Sequence, residues 1–152
     1  MGVVGDPADR RLDSMDAPMK NTDTEIVFEQ KVVELAHLWG WKVASFRPAG
    51  TGKGWRTPVK YDGKGYPDLT MIHEKGYIIF AEMKRETGST MSAEQKEWAT
   101  VFMRCASAIN DWLDEPVMPE QRDRVFYRMW RPRDGNEIVT LLSFGRVTEW
   151  TP

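Results

Sequence analysis

Hydrophobic and polar positions change period several times along the chain, and each change marks an element. The stretch from Met1 to Asn21 is polar, contains prolines and shows no period, which reads as a disordered tail. The segment NTDTEIVFEQKVVELAHLWGW then takes on helical spacing. Asn21, Thr22 and Asp23 are its candidate N-caps, Ile26, Val33 and Ala36 form its apolar face, and Gly40 stops it. WKVASFRPA reads as a strand, and GTGKGWRTPVKYDGKGYP as a loop of glycines, prolines and cations. Two apolar runs follow, LTMI and YIIFA, joined by HEKG as a hairpin. STMSAEQKEWATVFMRCASAINDWL is a long helix opened by Ser92 and ending before Pro116. DEPVMPEQRD is a connector, RVFYRMWRP a strand and NEIVTLLS a short helix. The expected fold is α/β, in the order α-β-β-β-α-β-α, with a central mixed sheet flanked by helices.

The 152 residues suit one domain, from residue 22 to residue 152, behind the tail. No apolar run approaches the roughly 20 residues of a membrane span, and the N-terminus lacks the apolar core of a secretory signal. A lone cysteine, Cys105, offers neither an internal disulfide nor a metal cluster and suits a reducing cytosol. The expectation is a cytoplasmic protein with no membrane partner. Net charge is −2, but its distribution is uneven. Between Arg47 and Pro67 five cations face one acid, Asp62. Nothing resembles a P-loop, a dinucleotide motif or a cysteine nucleophile, so no nucleotide cofactor is expected. His37 and His73 lack ligand spacing and read as structural.

The hairpin carries charges where a core is expected. Ile78, Phe80, Glu82 and Lys84 share one strand face by alternation, and Asp68 opens the neighbouring antiparallel strand. Asp68, Glu82 and Lys84 therefore meet at one end of the sheet. Two close carboxylates repel each other unless a cation neutralises them. A hard divalent ion suits such oxygen ligands, and an adjacent lysine can serve an attacking water. A structural salt bridge at a frayed strand end is the alternative.

YPDL, with 13 residues between Asp68 and the EMK that begins at Glu82, looks like the PD-(D/E)xK nuclease signature. GKGYPDLTMI, IIFAEMKRETGSTMSAEQKEW and YRMWRPRDGNEIVTLL are similar to the VRR-NUC family, over roughly Thr24 to Leu142. Its small stand-alone members occur in phages and bacteria. The resemblance implies a restriction-endonuclease-like core and Mg²⁺ or Mn²⁺ held by Asp68, Glu82 and the Met83 backbone carbonyl. Lys84 would serve the attacking water. It also implies a glutamate from the first helix. Glu29, 11 residues before Gly40, matches the spacing in archaeal Holliday junction resolvases, with Glu25 one turn earlier as the second candidate. Glu29 also reads as a helix-edge residue paired with a lysine. Gln95 matches a family glutamine near metal or phosphate, and equally completes a capping box with Ser92. The implied activity is metal-dependent hydrolysis of branched DNA, as a homodimeric Holliday junction resolvase, in host cytoplasm if phage-encoded. The alternatives are a flap, single-strand or duplex-end nuclease, or a silent DNA-binding accessory protein.

On that reading the basic loop contacts DNA through Arg47, Lys53, Arg56, Lys60 and Lys64, with Trp55 or Tyr61 stacking on a base or packing the loop down. Arg128 and Arg131 are weaker candidates. Trp98 reads as core. The stretch from residue 105 to residue 123 is longer than in family members, and Trp112 and Leu113 in it offer apolar surface for an interface.

Overall fold

The computed structural model describes residues 19–20, 22–46, 49–51, 54–56, 60–113 and 123–146, with backbone alone at 49–51 and 54–56. The expected tail lies outside the described residues except at its end, where Met19 packs against the core.

Helix α1 (Glu25–Leu38) begins one residue later than the expected caps. Thr24 is the N-cap, its hydroxyl accepting from Val27 N at 3.3 Å. Asp23 is engaged elsewhere, accepting from Lys20 N at 3.0 Å and from Lys31 Nζ at 2.5 Å. The buried stripe is Phe28, Val32, Leu35 and Ala36. Ile26, expected on that stripe, is 55% exposed because the sheet meets the helix a little further round. Gly40, at φ 82°, turns the chain out of the helix, a conformation that suits glycine at this position.

Four strands form the main sheet in the order β1 (Lys42–Ser45), β4 (Leu69–His73), β5 (Tyr77–Met83) and β6 (Val125–Trp130). The β1–β4 and β4–β5 pairs are antiparallel, whereas β5–β6 is parallel. That parallel step needs a crossover, which is helix α2 (Ala93–Trp112). Helix α3 (Gly135–Leu142) follows β6. The segment read as loop contains a short antiparallel ribbon, β2 (Ala49–Thr51) with β3 (Gly54–Arg56). Three-residue, glycine-rich strands carry no alternation for the eye to find.

The sheet is mixed, with helices on both faces, and its two faces differ in kind. Toward α1 and α3 point Leu69, Met71, Ile79, Ala81 and Met83, which join Trp41, Trp130, Ile138 and Leu142 in the core. Toward α2 points an aromatic group in which Phe80 stacks on Phe102 at 4.2 Å and Phe102 lies nearly parallel to Tyr127 at 5.8 Å. Tyr66 and Trp98 complete it edge-on to each other at 5.2 Å. His73 is buried and structural. Its Nδ1 accepts from Lys75 N at 3.1 Å, which leaves Nε2 to donate to Trp39 O at 3.0 Å. Asn110 ties the far end of α2 to β6, donating to Val125 O at 2.9 Å and accepting from Arg124 N and Val125 N. Beyond it Trp112 is 86% exposed and Leu113 also exposed; the connector from residue 114 to residue 122 lies outside the described residues.

Candidate active site

The hairpin register decides the site. Leu69 pairs with Ala81, so one step further out Asp68 faces Glu82, on the sheet face that carries Phe80. Asp68 is half-buried and its Oδ2 accepts from Met83 N at 2.8 Å. Glu82 is almost wholly enclosed, with 2% of its surface exposed, and its Oε1 lies 2.9 Å from Lys84 Nζ. The first turn of α2 closes the cluster. Gln95 donates from Nε2 to Glu82 Oε1 at 2.5 Å, and its Oε1 accepts from Lys84 Nζ at 3.2 Å.

Both readings of Gln95 are present in one side chain. Ser92 Oγ accepts from Gln95 N at 3.1 Å, and Gln95 Oε1 accepts from Ser92 N at 2.9 Å, which makes the capping box. The cap thus fixes the rotamer that presents the amide to Glu82 and Lys84. Helix start and charge cluster are held by the same bonds.

Burial first, and then the neighbouring Asp68 carboxylate, push Glu82 up to about 7 despite the bond to Lys84. The Glu25 carboxylate adds to the rise. The charge of Glu25, the second of the two helix candidates, is thus felt at Glu82. Glu29, the first sequence candidate, is half-buried and accepts from Ser45 Oγ at 3.3 Å on β1. Tyr127, on the parallel neighbour strand, is pushed up to about 12 by burial and then by Glu82 and Asp68. Burial and the second carboxylate thus favour the protonated form of Glu82, and both carboxylates act on Tyr127.

A hard cation would ease the crowding of the Asp68 and Glu82 carboxylates. Among the described residues no three His, Cys, Asp or Glu side chains gather as a metal cage. Ions of the Mg²⁺ type need less, since they bind through one or two carboxylates and keep water and substrate oxygens. Met83 N turns to Asp68 while Lys84 N donates the other way, to Trp130 O at 2.9 Å. Amide and carbonyl of one strand residue leave by the same edge, so the Met83 carbonyl points to the Asp68 side. Asp68, Glu82 and Met83 O form an all-oxygen donor set that fits Mg²⁺ or Mn²⁺ and suits zinc poorly.

Arg131 has a role that sequence reading missed. Its guanidinium reaches back across the end of β6 to the loop after Lys84, donating to the carbonyls of Arg85, Glu86 and Ser89, the last at 2.7 Å. Arg133 supports the same loop through Glu86, whose Oε2 accepts from Arg133 N at 3.0 Å. This loop carries the chain from Lys84 to the Ser92 cap, so Arg131 sets the spacing between two members of the cluster. The only sequence signal was the arginine-rich stretch itself, which reads equally as a solvated face. Arg128 pairs with Glu137 at 2.6 Å, on the α3 side of the sheet.

The expected DNA-contact residues separate. Lys64 pairs with Glu94 at 2.5 Å and holds that carboxyl down to about 2, so it secures the loop to α2. Lys60 is exposed. Arg47 and Lys53 lie outside the described residues, and Arg56 and Trp55 are described by backbone alone, within β3. Trp98 is half-buried rather than core, its Nε1 donating to Asp62 O at 2.9 Å and to Lys64 O at 3.1 Å.

Comparison with profiles of protein families, with curated proteins and with solved structures found no match.

Proposed function

We propose that the chain is a metal-dependent deoxyribonuclease with a restriction-endonuclease-like core of the VRR-NUC type, acting on branched DNA as a Holliday junction resolvase. The observation that carries the reading is the convergence of Asp68, Glu82, Lys84 and Gln95 at one end of the sheet, with Glu82 buried beside a second carboxylate. A salt bridge built for stability alone needs one acid and one base. Two acids gathered with a base, and an amide that touches Glu82 and Lys84, make an oxygen-rich site of the kind a divalent cation takes.

A divalent cation at Asp68, Glu82 and the Met83 carbonyl would neutralise charge on the scissile phosphate and make a nearby water more acidic. The remaining work belongs to the chain. Lys84 is held beside Glu82 by two contacts, so its ammonium can orient the attacking water and meet charge that develops on the phosphate. Gln95, fixed by its cap, keeps Lys84 and Glu82 in register. As the water oxygen bonds to phosphorus, one phosphorus–oxygen ester bond breaks. The water gives up a proton and the departing alkoxide takes one. Cutting a four-way junction in two strands calls for two such sites, hence a homodimer.

The competing reading is a structural polar cluster, favoured by the direct contacts of Lys84 to both Glu82 and Gln95. Cleavage of labelled four-way junction, flap and linear duplex, with Mg²⁺, Mn²⁺ or EDTA, separates the two. Wild type should cut the junction in symmetric pairs, and Lys84→Ala and Asp68→Asn should not. Cutting of flaps or ends alone would keep the nuclease and remove the resolvase. Absence of metal-dependent cleavage on every substrate would leave the polar cluster as the answer.

A further inference from the structure

On the outer side of the loop that precedes Asp68 lies a cleft of about 450 Å³, lined by Tyr61, Asp62, Lys64, Glu94, Glu97, Trp98 and Val101. Nothing in the charge cluster uses it, yet it shares its walls with that cluster. Glu94 precedes Gln95 on α2, and Gly65, at φ 80°, lies so close that a Cβ would sit 2.6 Å from the Glu94 carbonyl carbon. The loop and the first turn of α2 therefore form one body, with the cleft on one side and Gln95 on the other.

The lining is specific in character. Trp98 and Val101 supply apolar surface, and the Trp98 ring is immobilised by stacking on Phe102 and by two hydrogen bonds from its Nε1. Tyr61 stands at the mouth, 100% exposed and at φ 55° in the turn closed by Gly63 N donating to Lys60 O. Positive φ in a turn is ordinarily left to glycine, asparagine or aspartate, and strained residues of this kind gather at ligand sites. Asp62 and Glu97 leave exposed carboxylates on the rim, which accept hydrogen bonds and repel phosphate.

We propose that this cleft takes an unpaired nucleobase of the DNA strand whose phosphate lies at the Asp68–Glu82 site, a step that rests on the nuclease reading above. A flat ring fits between Tyr61 and the Trp98–Val101 wall, as aromatic platforms take bases in single strands. The rim carboxylates receive its amino hydrogens, so adenine, cytosine and guanine are preferred to thymine. They also turn the sugar–phosphate away from the rim, toward Lys84. The substrate class is then DNA with an unstacked base beside the cut, as at a junction crossover or flap, rather than continuous duplex.

The test uses the full chain in EDTA with short single strands carrying one 2-aminopurine, whose fluorescence falls on stacking. Wild type should quench it and bind oligo-dC more tightly than oligo-dT. Val101→Gln, which sets a longer neutral polar chain into the apolar wall, and Tyr61→Ala should each weaken binding about 10-fold, the scale of one base–aromatic stack, with unchanged circular dichroism. Glu97→Gln should narrow the preference for dC over dT. Binding with quenching that both cleft variants retain would overturn the subsite and leave the nuclease untouched. Cleft-dependent quenching in a protein that cleaves nothing with Mg²⁺ would remove the nuclease and keep a base-binding site. Absence of any binding by wild type would end the subsite proposal.

Discussion

Raising the pH from 5 to 8 should destabilise the metal-free protein, and the size of the effect follows from Glu82. Its carboxyl is raised from an ordinary 4.5 to about 7 by burial and by Asp68. A group whose folded value lies above its unfolded value binds its proton more tightly in the fold. The stability it confers is complete below about 4.5 and is lost as pH climbs through 7. At about 1.4 kcal/mol for each pH unit between the two values, the loss is about 3 kcal/mol, or roughly 6–12 °C in Tm for a domain of this size. Urea or thermal unfolding in EDTA, read at half-unit steps of pH, measures it. Glu82→Gln removes the titrating group and should flatten that fall. Mg²⁺ at pH 8 should restore much of the lost stability to wild type and little to Glu82→Gln. A flat wild-type profile, or an equal fall in Glu82→Gln, would refute the raised carboxyl at this residue. Equal stabilisation of both proteins by Mg²⁺ would place the ion elsewhere.

Further predictions concern how the site and the fold around it are held. Arg131→Ala should lower kcat about 10-fold or more while KM for DNA changes little, because it frees the loop between Lys84 and Ser92. Arg131→Lys should not rescue the rate, since one ammonium cannot span three carbonyls as a planar guanidinium does. Asn110→Ala should cost about 2–3 kcal/mol in denaturant unfolding, since it strands Arg124 N, Val125 N and Val125 O near the start of β6. Gly65→Ala combines a positive φ with a backbone clash and should cost about 2 kcal/mol or more; a variant as stable as wild type would show that the loop stands off from α2.

The meeting of Asp68, Glu82 and Lys84 was legible because a tight turn and a period of two leave one register, and charges at its open end have one place to go. The long helix and its capping box were legible for a similar reason: Ser92 and Gln95 are three residues apart and act locally. What escaped was set by distance along the chain or by rotation. Glu25 and Glu29 differ by one helical turn, and which one sits nearer Glu82 depends on how α1 settles on the sheet. The same rotation turned Ile26 outward. Arg131 reaches carbonyls more than 40 residues earlier, and a carbonyl has no letter in the sequence. Lys64 looked like one more cation in a basic loop until Glu94 was found opposite it.

The alternation along β5 has a consequence for what mutation can do here. Ala81 and Met83 face the packed core, whereas Phe80 and Glu82 face α2, so adjacent codons answer to different demands. Substitutions at Glu82 or Lys84 can change the charge cluster while the aliphatic packing stays intact. Insertion or deletion of one residue between Tyr77 and Glu82 is another matter. It would swing both charges into the space of Ile79 and Met83 and carry Met83 out beside Asp68. Within this strand, variation by replacement is open and variation in length is closed.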